Sequence, residues 1–365
     1  MKGAPVTLQQ VARAAGVSPA TVSRFRNGSA RVSDDKRLAI AAAMEQLAYR
    51  AAASMAPGAI ADSTNSMAAA PAAPPAGTVP INVRGNMPGN IASTRTIGVL
   101  TQSLVSGYFN EAMTGIEDAV KGAGYALLIM SGHWRAAEEA ERVEQLIMRR
   151  VDGLVILTGN LADRQLLHFS EQVPIVAFGR SLQGARVAGF SLDNYRAACE
   201  AMDLLIEQGH RHIAFIGGPD GQEDARARLA GYRDTLARRG IASDPGLVMG
   251  GDFQESGGLL AVNRLLDQDR RFTAIFAAND LSAYGARLAL YRRGIRVPDD
   301  VSLIGFDDLH SSMYTTPPLT TVRQPLYEAG ICLGRMMLGM VTRQAVEVDL
   351  PALSLVVRES VRRRG

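Results

Sequence analysis

Two groups of residues in this 365-residue chain have the types and spacing to do chemistry. In the first, VSPATVSRFRNGS (17–29) puts small and polar residues at a helix start and follows them with arginines. Pro19, Ala20, Thr21 and Ser23 are small enough for that start to approach base edges and phosphates, and Arg24 is long enough to donate twice to a guanine. Thr7, Ser18, Thr21, Ser23 and Asn27 carry groups that bond phosphates and so fix a register. The second group stands where apolar runs end: Thr101 and Gln102 after IGVL, Thr158 after GLVIL, Arg180 after PIVAFG, Asn279 and Asp280 after FTAIFAA, Asp307 and Asp308 after VSLIGF. Gathered at one place, such groups would hydrogen-bond a polyhydroxylated ligand.

The first group needs helices to hold it, and the sequence supplies them. Thr7 with Gln10 three residues on reads as a capping box, and Leu8, Val11, Ala12 and Ala15 make one apolar stripe. Gly16 suits the left-handed residue that closes such a helix; Ser18 can cap the next one, with Pro19 at its first position. Helices joined by so short a turn predict a helix-turn-helix whose second member enters a DNA major groove. A third helix is expected from Ser33, burying Ile40, Ala43, Met44 and Leu47.

The second group needs sheets. From Thr96 the runs TIGVL, YALLIM, GLVIL, PIVAFG, HIAFIGG, FTAIFAA and VSLIGF alternate with amphipathic stretches such as 111–123 and 223–239. Continuous apolar strands between helices predict parallel sheets covered on both faces, and about 270 residues are enough for two such lobes. Ligands of such sheets bind beyond the carboxyl ends of the strands.

Charge separates the two regions. The chain carries a formal +3, but residues 1–50 hold eight lysines and arginines against three acidic residues, a net +5, which leaves −2 on the other 315. A polyanion-binding head on a near-neutral body follows. Two cysteines, Cys199 and Cys332, make no disulfide framework and fit a reducing compartment. No secretory leader and no apolar run of roughly 18 residues is present, so a cytoplasmic location off the membrane is expected. No paired acid and base, activated nucleophile, metal-ligand spacing or nucleotide loop stands out, so no catalytic residue, metal or cofactor is assigned. His210 and His212 read as structural, and the methionines of CLGRMMLGM as core.

Several blocks resemble one known family. VTLQQVARAAGVSPATVSRFRNGSARVSDDKRLAIAAAMEQLAY is similar to the headpiece of the lactose/galactose-repressor family, including its T-V-S-R core and the closing Leu47 and Tyr49. GHRHIAFIGGP, ARARLAGYRDTL, AANDLSAYGA, VPDDVSLIGFDD and PPLTTVRQP resemble recurring blocks of the same family's effector domain, itself similar to periplasmic sugar-binding proteins. The resemblance implies a small all-α helix-turn-helix DNA-binding domain (1–50) and an α/β two-lobed periplasmic-binding-protein-like effector domain (96–365). It implies that Pro19, Ala20 and Arg24 read bases, that Asp307 accepts from ligand hydroxyls, and that Arg228 donates to ligand oxygens. By the same resemblance Asn279 adds a polar contact, Phe253 a stacking face, and Tyr108 with Phe109 a closing wall; Gln102, Asp224 and Arg180 are further lining residues. Phe25 and Arg26 replace two aliphatic residues usual in the family, and Lys36 a threonine.

Residues 51–95 break the resemblance. They are rich in Ala, Pro, Gly and Ser without periodicity, and are expected to form a flexible linker. Family members place a DNA-wedging hinge helix directly after the Tyr; here Gly58, preceded by Pro57, stands at the wedge position, with Met55 or Met87 as the bulky substitutes, so the hinge is expected to be weakened or relocated. The function expected is a regulator, a repressor by family resemblance. Its homodimer or tetramer would bind palindromic double-stranded operator DNA under the control of a sugar or sugar acid. A solute-binding protein for uptake and a sugar-modifying enzyme are the alternatives.

Overall fold

The computed structural model describes residues 8–18, 21, 22, 36, 39, 40, 43, 78–81 and 93–364, which fall into two compact units, Met1–Ala72 and Ala73–Gly365. In the first unit α1 spans Leu8–Ala14 and ends as its sequence requires. Gly16 is left-handed at φ 63°, and the amides of Val17 and Gly16 donate to the carbonyls of Ala12 (3.0 Å) and Arg13 (3.4 Å), which closes the helix and turns the chain at once. Ser18 then caps the next helical residues: its Oγ accepts from the Thr21 amide at 3.2 Å and lies 2.9 Å from Thr21 Oγ1. Val11, Ala12, Val22, Ile40 and Ala43 share one buried cluster, so helical backbone before and after the turn meets a third helical segment. Thr7, Pro19, Ala20, Ser23, Arg24 and Asn27 lie outside the described residues, as do Met44 and Leu47.

All seven strands expected from apolar runs form. One sheet has the order β3-β2-β4-β5-β6 and is wholly parallel, from β2 (Thr96–Thr101), β3 (Ala126–Ser131), β4 (Gly153–Leu157), β5 (Ile175–Phe178) and β6 (Val187–Phe190). The other has the order β13-β11-β10-β9-β7-β8, from β7 (Ile213–Ile216), β8 (Val248–Met249), β9 (Ala274–Ala277), β10 (Ser302–Asp307), β11 (Thr320–Arg323) and β13 (Ser354–Val356). Apart from the antiparallel β13, it repeats the first sheet's winding: the second strand to appear lies outside the first, and the later ones extend the other way. Each sheet therefore reverses direction beside its first strand, β2 or β7, and opens a crevice at that strand's carboxyl end.

Helices cover both faces of both sheets, which is why the central strands are apolar throughout. In the first lobe α2 (Gly107–Lys121) and α9 (Leu326–Thr342) close one face, while α3 (Ala136–Met148) and α4 (Asp163–Ser170) close the other. In the second, α5 (Asn194–Glu207) and α6 (Glu223–Arg238) lie opposite α7 (Glu255–Asp267) and α8 (Asp280–Arg292). Met336, Met337 and Met340 of α9 are buried in the first lobe's core, each worth roughly 1.5–3 kcal/mol of removed apolar surface. The chain crosses between lobes three times, at 191–193, 324–325 and 350–353.

One short strand lies where only linker was expected. β1 (Thr78–Ile81) pairs antiparallel with β12 (Val346–Asp349), Thr78 opposite Asp349 and Ile81 opposite Val346. Thr, Val and Ile are strand formers, and β12 offers them an otherwise unpaired backbone edge. The rest of residues 51–92 lies outside the described residues. Among the described residues no helix is long and apolar enough to cross a membrane.

Candidate functional site

The carboxyl ends of the two sheets face each other across a cavity of about 480 Å³, within the usual range for small-molecule sites. Its first-lobe wall is built from the start of α2, the turn after β3 and the end of β4. Tyr108 and Phe109 occupy the first turn of α2 with their rings edge to face at 5.1 Å, and Trp134 lies 6.1 Å beyond Phe109. Trp134 sits in the left-handed region (φ 59°), held at both ends of its peptide unit. Its amide donates to Gln102 Oε1 at 2.9 Å, and its carbonyl accepts from Asn160 Nδ2 at 2.6 Å. Thr158, left-handed at φ 57°, lines the cavity; its Oγ1 is closed off from solvent and has no hydrogen-bond partner among the described residues.

Two side chains hold the loop after Thr158. Glu139 is fully buried and accepts from the amides of Asn160 (2.8 Å) and Leu161 (2.9 Å); burial raises its carboxyl, and those two amides pull it back. Arg180 donates to the carbonyls of Gly159 (2.7 Å) and Leu161 (2.6 Å) and pairs with Asp163 at 3.1 Å.

The second-lobe wall comes from α6, the turns before α7 and α8, and the end of β10. Arg228, 3% exposed, donates from Nε to Asn194 Oδ1 (2.8 Å) and from Nη1 to the carbonyl of Ala278 (2.5 Å). Its guanidinium carbon lies 3.8 Å from the centre of the Phe306 ring and 5.6 Å from that of Phe253, and Nη1 is 3.9 Å from Asp307 Oδ1. Asp307 is itself at φ 126° and accepts from Gln324 Nε2 at 2.7 Å. Burial drives the Asp307 carboxyl well above the ordinary range, with Arg228 opposing; Asp224 is raised by burial in the same way, again against Arg228. The Tyr108 hydroxyl is raised too, by burial first and then by the charges of Asp224 and Asp307.

Seven of the nine residues expected in the crevice line it: Tyr108, Phe109, Asp224, Arg228, Phe253, Asn279 and Asp307. Gln102 and Arg180 do not. Gln102 spends its amide on Trp134 and, at 3.5 Å, on the Thr158 carbonyl; Arg180 spends its donors on the adjoining loop. They position the wall rather than form it. Asn279 lines the cavity, but its Oδ1 caps α8 through the Ser282 amide (3.0 Å) and its Nδ2 holds the Phe253 carbonyl (3.0 Å). That bond fixes Phe253 in its left-handed conformation, φ 61°.

Sequence reasoning left out Trp134, Gln222, Tyr284 and the segment Leu309–Ser311, all of which line the cavity. A lone tryptophan after Gly-His was the one available signal. Leu309–Ser311 is placed by Asp280, which is buried under it and accepts from the Leu309 amide (2.8 Å), Ser312 Oγ (2.5 Å) and Thr321 Oγ1 (2.6 Å). Tyr284 adds a 2.7 Å contact to Ser312 Oγ. No group of three or more metal-ligating side chains occurs among the described residues.

Comparison with known proteins places these features together elsewhere. Residues 7–51 match the bacterial regulatory proteins of the lacI family, and residues 202–361 match the periplasmic binding protein-like domain. The chain is 34% identical over 359 residues to the HTH-type transcriptional regulator GalR of Escherichia coli (strain K12), a match that spans 98% of this chain and 94% of GalR. Among solved structures it resembles a complex of the transcriptional regulator CelR with cellobiose, at TM-score 0.67 and 30% identity over 97% of this chain and 99% of that one. It also resembles the lac repressor dimer bound to operator and the anti-inducer ONPF, at TM-score 0.66 and 27% identity over 98% and 100% of the two chains.

Proposed function

The chain belongs to the lacI family of bacterial regulatory proteins, a DNA-binding regulator of transcription with a two-lobed periplasmic-binding-protein-like domain, and from that premise we propose how its ligand and its DNA are linked. A sugar-sized effector binds in the crevice, changes the angle between the lobes, and so alters the spacing of two heads on a palindromic operator. The protein acts as a repressor inside the cell. The observation that carries the effector reading is the cavity of about 480 Å³ at the carboxyl ends of both sheets, which Asp224, Arg228 and Asp307 line together with Tyr108, Phe253 and Trp134. Relatives solved with cellobiose and as a dimer on operator support the sugar and the DNA.

Residues 1–50 form the head, 51–95 the linker, whose β1 pairs with β12, and 96–365 the effector and dimerisation domain. In the head, Arg24 with Pro19 and Ala20 reads bases, while Thr7, Ser18, Thr21, Ser23 and Asn27 contact phosphates. In the crevice, Asp307 and Asp224 accept from hydroxyls, Arg228 donates, and Tyr108, Phe109 and Phe253 stack. Exposed Leu288 and Tyr291 on α8, with Met313 and Tyr314 after it, offer an apolar surface for a homodimer. One helix alone reads too few base pairs for genomic specificity, which favours the paired heads.

A selection from random duplex DNA, with and without a sugar panel, tests this reading. A palindromic consensus is expected, with affinity shifted by at least one sugar, and Arg24→Ala should relax one position of each half-site by roughly 1–3 kcal/mol. Loss of all sequence preference in the unmodified protein would refute it.

A further inference from the structure

The charges around the crevice narrow the class of occupant, given the small-effector reading above. Three carboxylates line the cavity, those of Asp224, Glu255 and Asp307. Against them Arg228 is the one lysine or arginine in the described lining, with its Nε on Asn194, its Nη1 on the Ala278 carbonyl and Asp307 3.9 Å away. Helix amino ends attract anions, but those of the second lobe that point here carry their own: Glu223 and Asp224 in the first turn of α6, Glu255 in α7, Asp280 in α8. Among the α-helices that begin at the cavity, only α2 opens with neither an acidic first turn nor a side-chain cap.

We propose that the crevice takes an uncharged sugar or glycoside and discriminates against the sugar acid and sugar phosphate of the same configuration. A hydroxyl can donate to Asp224 or Asp307 and accept from Arg228 or the amides of α2, so a neutral polyol satisfies both kinds of group at once. A carboxylate or phosphate can only accept. It can pair with Asp224 or Asp307 only where these hold a proton, and otherwise adds a negative charge to a partly buried space where screening is weak. The aromatic rings of Tyr108, Phe253 and Trp134 offer flat apolar surface for the C–H faces of a pyranose, which an uncharged ring shares with its acid and therefore does not discriminate.

Matched pairs titrated against the full-length protein test the proposal, read by Trp134 fluorescence and by calorimetry. The probes are glucose, galactose and cellobiose against glucuronate, galacturonate, cellobionate and glucose 6-phosphate. At least one neutral sugar should bind, with its charged counterpart at least tenfold weaker. Asp224→Asn keeps an acceptor for Asn194 and should narrow that gap at least threefold. A charged member binding as tightly as its neutral counterpart overturns the proposal and leaves the effector reading standing, with the uncapped start of α2 as the place to look for the anion. An unchanged gap in Asp224→Asn overturns the electrostatic cause. No binding by any probe overturns the sugar reading itself, and this proposal with it.

Discussion

Asp280 shows how a single ionisable group can govern the floor of the crevice without touching its contents. Burial pushes its carboxyl up to about 6, against hydrogen bonds from Ser312, Thr321 and the Leu309 amide that lower it. An unfolded aspartate titrates near 3.9, so between about pH 4 and 6 the folded protein holds a proton that the unfolded chain has released. Stability from this group is therefore greatest at low pH and falls as pH rises through that window, by at most about 3 kcal/mol. Asp280→Asn mimics the protonated form. Its stability relative to the unmodified protein should improve from pH 4.5 to pH 7.5 in urea melts, and a difference independent of pH would show that Asp280 is ionised throughout. At the same scale, Gln102 and Arg180 mark the limit of sequence reading: a polar residue after a strand serves either a ligand or its own loop, and only the placed loop decides which.

Helices cross where glycines allow it, and at this scale propensity and packing oppose each other. On α2 a Cβ at Gly115 would overlap the Tyr327 carbonyl of α9, and one at Gly330 would overlap the Ala112 carbonyl in return. Gly330→Ala gains helix propensity of up to about 1 kcal/mol but forces two backbones apart, which typically costs about 1–3 kcal/mol. Packing wins, and the variant should lower the urea midpoint. Gly122, at the exposed end of α2 in right-handed conformation with nothing within 4 Å of an added Cβ, should respond oppositely. Gly122→Ala is expected to stabilise by roughly 0.4–1 kcal/mol. If both glycines moved the midpoint the same way, the close crossing of α2 and α9 would carry no energetic weight.

Across the whole effector domain, one hydrogen-bonded chain joins the lobes. Gln222 at the start of α6 donates to Asn160 Oδ1 at 2.5 Å and to the Gly159 carbonyl at 3.2 Å; Asn160 donates to Trp134, which donates to Gln102 at the end of β2. The chain bridges the crevice beside the cavity and holds Trp134 against it. Asn160 is not in the cavity lining, so Asn160→Ala tests closure rather than direct contact. Losing about 0.5–1.5 kcal/mol of cross-lobe bonding should weaken effector binding roughly two- to tenfold in a Trp134 fluorescence titration. Unchanged affinity would assign the bridge no share in closure.

The sequence by itself determined the elements and their order. Caps and stripes mark α1 and the tight turn after it, and apolar runs buried on both sides mark the parallel strands, because these signals depend on neighbours a few residues away. It also marked seven of the lining residues, through polar strand ends and recurring blocks. The edge strand β8 escaped, since two residues carry too little periodicity, β11 escaped because three of its four residues, TTVR, are polar, and β1 escaped because its pairing with β12 joins residues some 270 positions apart. Only the tertiary structure decided how many polar groups remain for a ligand. Asn279, Gln102 and Arg180 are spent on backbone, while Asp224, Arg228 and Asp307 line the cavity, and that division is set by which loops fold back across the strand ends.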